Sequence, residues 1–198
     1  QALDGKAKPV GALGRIEDLA LTLGLIQQTL RPTVTQPVLL VFAGDHGLTR
    51  SGVAAYPAGV TVAMVDALLT GRASANAFAK VVGAQVQVID AGVAADLSDR
   101  AGLIQAKVAS GTKDASVEPA MTRDQAEAAL LEGAAMARAA IDDGADVIAL
   151  GEMGIGNSAS AALLMHRLAP APLADCVGQG AGHSPEGMAR KQAVLARA

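Results

Sequence analysis

Tryptophan is absent from this 198-residue chain, tyrosine occurs once and phenylalanine twice, so aromatics make up only 2% of it. A protein that grips single-stranded nucleic acid by stacking needs an aromatic platform, and one that follows a duplex needs surplus lysine and arginine. The net charge of −3 offers no such surplus, and nucleic acid is not an expected partner. The single cysteine, Cys176, rules out an internal disulfide and a zinc-type cysteine pair. It reads as a small buried hydrophobe in a reducing compartment. The three histidines, His46, His166 and His183, show no ligand spacing, so no metal or other cofactor is expected. No apolar run reaches the roughly 18 residues that cross a bilayer. The first residues, "QALDGKAKPVGALGR", lack the apolar segment of a signal peptide. The expectation is a soluble, cytoplasmic protein with no membrane partner.

What the chain has in quantity is aliphatic residues, within a hydrophobic share of 51%. That is enough to bury a substantial core, most simply as one domain over residues 1–198. Short apolar, β-branched runs alternate with longer alanine- and leucine-rich stretches, which points to an α/β fold. "VLLVFA" (38–43), "VQVID" (86–90) and "DVIAL" (146–150) are almost continuously apolar. They read as parallel strands covered by helices on both faces. Helices are expected over 58–69, 74–82, 122–142 and 158–168, over 15–30 ending before Pro32, and from near Pro185. Thr122 with Gln125 has the form of a capping box. The stretch 97–119 is ambiguous: "IQAKVA" suits an edge strand, while "SGTKDASVEP" is rich in turn residues.

In a parallel α/β sheet, ligands bind beyond the carboxyl ends of the strands. Three such places carry distinctive residues: Gly44-Asp45-His46-Gly47 after the first strand, Ala91-Gly92-Val93 after the second, and "GEMGIGNS" (151–158) after the third. The last follows a strand and opens a helix, so its free N–H groups and the positive end of the helix dipole form a cradle for an anion. Glycine there lets a phosphate approach the backbone and permits positive φ. The spacing G-x-x-G-x-G differs from the dinucleotide fingerprint, and no Gly-Lys-Ser/Thr follows. The alternative is a tight turn capped by Asn157 or Ser158. Glu152, beside the cradle, suits hydrogen bonding to a sugar hydroxyl. Asp45 and His46 are open to two readings, a ligand contact or local turn bonding. Gly178 starts a second glycine-rich turn, and Lys191 on the following helix lies off the face of Glu186. Lys191 is thus either solvated or functional.

The order of "FAGDHGLTRSGVAAYPAGVTVAMV", "VQVIDAGV", "EPAMTRDQAEAAL", "GEMGIGNSASAALL" and "CVGQGAG" with "GMARKQAVLARA" resembles the nicotinate-nucleotide:dimethylbenzimidazole phosphoribosyltransferase family over essentially the whole chain. The resemblance implies a Rossmann-like, mostly parallel sheet with a small helical region (residues 1–35 here) and a homodimer. It implies transfer of phosphoribose from nicotinate mononucleotide to 5,6-dimethylbenzimidazole, in assembly of the cobalamin lower ligand. By the same similarity the phosphate meets Gly154, Ile155, Gly156, Asn157 and Ser158, and Glu152 faces the ribose or the reaction centre. Lys191 supplies positive charge to substrate or Glu152. The segment from Tyr56 to Met64 forms a wall of the benzimidazole pocket, and Asp45, His46 and Gly178 join the substrate-binding set. Family members extend further than this chain, and the glutamate that serves them as base falls in that extension; Glu152 is not its counterpart. A non-catalytic nucleotide-binding domain is the alternative.

Overall fold

A computed structural model describes residues 2–169 and 171–198. The chain divides into one compact unit up to Thr35 and another from Gln36 to Ala198. In the first, helix α1 (Arg15–Ile26) carries Glu17, whose carboxylate pairs with Lys8 at 2.8 Å. The helix stops short of the predicted Leu30. Gln28 takes a φ of 51°, and the Gln27 side chain closes two hydrogen bonds on the Thr33 backbone, donating at 2.8 Å and accepting at 3.0 Å.

The second unit is built on a parallel sheet of β1 (Pro37–Gly44), β2 (Gln85–Gly92), β3 (Leu103–Gln105) and β4 (Val147–Met153), in the order β3-β2-β1-β4. Helices α2 (Val60–Leu69) and α3 (Ser74–Val82) connect β1 to β2, and α4 (Arg123–Asp142) connects β3 to β4. After β4 come α5 (Asn157–Leu168), α6 (Leu173–Cys176) and α7 (Pro185–Leu195). The expected α/β class and parallel sheet are what the structure shows.

The apolar runs work because successive strand side chains face opposite ways. Val41 and Ala43 pack with Val65 and Leu68 of α2, and Val38 and Leu40 pack with Ala140 of α4. Each fully buried aliphatic of this kind contributes about 1.5–3 kcal/mol. A third cluster joins Leu48 and Val53 to Ala159 and Ala162 of α5 and Val194 and Leu195 of α7, with Cys176 packed against it. The capping box forms as the spacing predicts: Thr122 Oγ1 accepts from Gln125 N at 3.2 Å, and Gln125 Oε1 accepts from Thr122 N at 2.9 Å.

One further expectation needs correction. The third apolar run reads as covered on both faces, yet Leu150 is 76% exposed. The reason is position, since β4 is an edge strand among the described residues. In the ambiguous stretch only Leu103–Gln105 pairs as strand. The turn at its end is held by Asp114, which accepts from Ser51 at 2.6 Å and from the Ser116 hydroxyl at 2.7 Å.

Candidate active site

From β1 the chain builds outward to β2 and β3, then returns to place β4 on the other flank of β1. The topological switch point therefore lies between the carboxyl ends of β1 and β4, where such sheets open a crevice. Asp45 and His46 leave β1 there, and Glu152 and Met153 end β4. A cavity of about 360 Å³ occupies the spot. One part of its lining is apolar, with Phe42, Val108, Met121, Met153 and Leu164; the polar part holds Asp45, His46, Glu152, Asn157 and Ser158.

The turn between β4 and α5 is tighter than an anion cradle alone requires. A Cβ on Gly154 would run into the Gly44 carbonyl oxygen, and would lie 3.2 Å from His46 Nε2. Gly156 is the N-cap, with φ 91°, and a Cβ there would meet Thr49 Cγ2 at 2.8 Å. Both glycines are thus demanded by packing and backbone conformation, whatever they do for a ligand. Several N–H groups expected to be free are engaged. Ile155 N donates to Thr61 Oγ1 at 3.1 Å, Asn157 N to Gly154 O at 3.0 Å, and Ser158 N to Asn157 Oδ1 at 2.7 Å. Neither Asn157 nor Ser158 caps the helix. Asn157 is its first residue, and its amide nitrogen donates to the Glu152 carboxylate.

Lys191 is not solvated. Its side chain is fully buried, and Nζ donates to Ser158 Oγ and to the Gly178 carbonyl, each at 2.9 Å. Among the described residues no carboxylate lies within ion-pair distance of it. Burial pushes its pKa below the ordinary lysine value. Gly180, at φ 59°, leaves room for this arrangement: a Cβ there would lie 2.6 Å from Ser158 Oγ. Gly178 itself is exposed and enters through its carbonyl alone.

His46 is half-buried, and its Nδ1 lies 2.9 Å from Ser160 Oγ on α5. Burial lowers its pKa, against the opposing pull of Asp45 and Glu152. Asp45 Oδ2 accepts from Ala94 N at 2.8 Å, tying the end of β1 to the loop after β2. The other two histidines are satisfied by backbone, His166 against Ala171 O at 2.8 Å and His183 against Val53 O at 3.0 Å. No cluster of histidine, cysteine or carboxylate side chains suited to a metal occurs among the described residues. Nor is any helix among them long and apolar enough to cross a membrane.

Tyr56 and Met64 stand apart from this cavity and do not line it. Tyr56 lies exposed before α2. That helix turns Thr61, Val65 and Leu68 inward, so Thr61 is its link to the β4–α5 turn. Several lining residues are missed by sequence reasoning: Phe42, Gln125, Ser160 and Leu164. Phe42 can be found from its place near a strand's carboxyl end. Ser160 cannot, because only the fold brings it to His46. Asp90 is a further omission. It is fully buried, accepts from Gly92 N at 3.1 Å and Val93 N at 2.8 Å, and pairs with Lys107 at 3.1 Å.

A parallel sheet with its cavity at the switch point, bordered by a helix N-terminus, defines an α/β protein of the small-molecule-binding kind. A family model described as a phosphoribosyltransferase matches residues 1–198, and the chain belongs to that family. It is 50% identical over 197 residues to a nicotinate-nucleotide–dimethylbenzimidazole phosphoribosyltransferase of Cupriavidus necator, covering 100% of this chain and 57% of that protein. A protein of the same name from Dechloromonas aromatica is 50% identical over 196 residues, covering 99% of this chain and 56% of that one. The crystal structure of CobT from Thermus thermophilus superimposes with a TM-score of 0.94 at 43% identity, over 100% of this chain and 59% of that one. The chain therefore spans somewhat more than half the length of these relatives.

Proposed function

We propose that the protein transfers phosphoribose from nicotinate mononucleotide to 5,6-dimethylbenzimidazole, giving α-ribazole 5′-phosphate and nicotinate for the cobalamin lower ligand. The observation that carries this reading is the convergence of Glu152, the first turn of α5 and the buried Lys191 ammonium beside one apolar cavity. A nucleotide needs that combination. Its phosphate is received at the α5 N-terminus, where the dipole and the Lys191 charge act together and Ser158 offers a hydroxyl. Its ribose lies against Glu152, whose orientation Asn157 fixes. The flat ring of the acceptor packs among Phe42, Met153 and Leu164.

In the reaction the bond from C1′ to the pyridine nitrogen of nicotinate breaks, and its electron pair leaves with nicotinate. Positive charge develops at C1′ while a benzimidazole nitrogen attacks from the opposite face. The other ring nitrogen then gives up its proton to a base. Glu152 positions the sugar and stabilises the developing charge; no residue of this chain is assigned as the base. Holding two rings in line is the larger contribution of such a site. The reading includes a homodimer, supported by exposed apolar side chains such as Leu130, Leu131 and Leu168. It also includes a cytoplasmic setting, where a nucleotide donor would be at hand.

Incubation with both substrates, followed by chromatography, tests the reaction. Formation of α-ribazole 5′-phosphate is expected from the protein carrying this segment. Saturable nucleotide binding without product would overturn transfer and leave a binding domain. Failure to bind nicotinate mononucleotide would remove the site.

A further inference from the structure

His46 has two ring nitrogens with unequal surroundings. Nδ1 meets Ser160 Oγ at 2.9 Å. Nε2 has no protein partner among the described residues, and it is not sealed in the core. The ring lines the same cavity as Glu152, and a Cβ on Gly154 would approach its Nε2 to 3.2 Å. It thus stands between the carboxylate that ends β4 and the glycine turn that opens α5.

We propose that His46 Nε2 is a direct hydrogen-bond partner of a sugar hydroxyl in the bound nucleotide, with Ser160 fixing the ring through Nδ1. This deepens the function proposed above and rests on it. The cavity divides by chemistry: its apolar part suits a flat ring, so the polar part, to which His46 contributes with Asp45, Glu152, Asn157 and Ser158, receives the polyol. Glu152 can only accept hydrogen bonds when ionised, whereas a neutral imidazole donates or accepts according to its tautomer. The charged groups facing His46 are Asp45 on its own loop and Glu152 on β4, and its lowered pKa keeps the ring neutral near pH 7. A neutral ring beside Glu152 gives the sugar two partners of different kinds. One is a fixed acceptor and the other is set by Ser160: if the serine hydroxyl donates to Nδ1, Nε2 carries the proton and donates to the sugar. Ser160 is a positioning residue in this scheme, acting through His46.

The two nitrogens can be tested separately by substitution. An asparagine reaches the place of Nδ1 and keeps a polar atom for Ser160, while a glutamine reaches toward the place of Nε2. Nicotinate mononucleotide is titrated calorimetrically into the wild-type protein, His46→Asn and His46→Gln, with thermal midpoints measured alongside. His46→Asn is expected to bind about tenfold more weakly, the size of one well-placed hydrogen bond, and His46→Gln to recover most of the loss. Ser160→Ala should weaken binding in the wild-type background and have no further effect in His46→Asn. Equal affinity in wild type and His46→Asn would overturn the proposal while leaving the nucleotide site intact. So would equal losses in both His46 variants that track equal falls in thermal midpoint, since His46 would then be structural. No binding by the wild type would overturn both the proposal and the function on which it rests.

Discussion

Lys191 Nζ lies 2.9 Å from Ser158 Oγ at the start of α5, fully buried and with no carboxylate in ion-pair range among the described residues. A buried charge held only by neutral oxygens costs stability that an anion could return on binding. Replacing Lys191 with methionine keeps the stem and removes the charge. The variant should match or exceed the wild type in thermal midpoint by calorimetry, yet lose at least about tenfold in affinity for nicotinate mononucleotide, the equivalent of one charge-assisted hydrogen bond. A fall in midpoint with affinity unchanged would show that the lysine serves the fold.

The same group gives an alkaline signature. Its folded pKa is depressed, so the unfolded chain binds more protons between the folded and unfolded values, and stability rises with pH across that window. The contribution is complete above the unfolded value of about 10.4 and is lost as pH falls through the folded one. Denaturant melts along an alkaline series should show a rise attributable to Lys191, and Lys191→Met should lack it.

His46 behaves likewise in acid. Its pKa is lowered by burial, so its contribution is present above the unfolded value of about 6.5 and is lost as pH falls through the folded value. Chemical denaturation from neutral pH into the acid range should show a loss of stability that His46→Gln reduces. Identical profiles for both proteins would mean that the imidazole titrates freely in the folded state.

Gly156→Ala and Gly154→Ala should be felt first in the fold. At Gly156 the positive φ costs about 1–3 kcal/mol for a residue with a side chain, and Thr49 must also move. At Gly154 a Cβ collides with the end of β1, so the larger loss is expected there. Urea melts of the two variants rank them, and equal stability with the wild type would contradict the packing described.

Asp90→Asn separates two duties of one carboxylate. The amide can still accept from Gly92 N and Val93 N, but it no longer forms an ion pair with Lys107. A loss of about 1–3 kcal/mol is expected from the unmatched partner. The midpoint and slope of urea unfolding check it.

The sequence by itself determined the class of fold and the place to look. Runs such as "VLLVFA" are apolar on both alternations because both strand faces are covered, and the glycines after "DVIAL" mark a turn from strand to helix; both features are local and therefore written in order along the chain. Helix α3 over 74–82 and the Thr122 box were legible for the same reason. What the tertiary structure decided was everything set by contact between distant segments. The exposure of Leu150 follows from strand order, which its own neighbours do not encode. The burial of Lys191 follows from α7 packing on α5, through Val194 and Leu195 against Ala159 and Ala162. Glycines 154 and 156 read as room for a phosphate, and the structure adds a second constraint from the end of β1 and from Thr49. The meeting of His46 with Ser160, 114 residues apart in sequence, exists only once β1 and α5 converge at the switch point. Periodicity reports which face of an element is buried; it carries no information about which other element buries it.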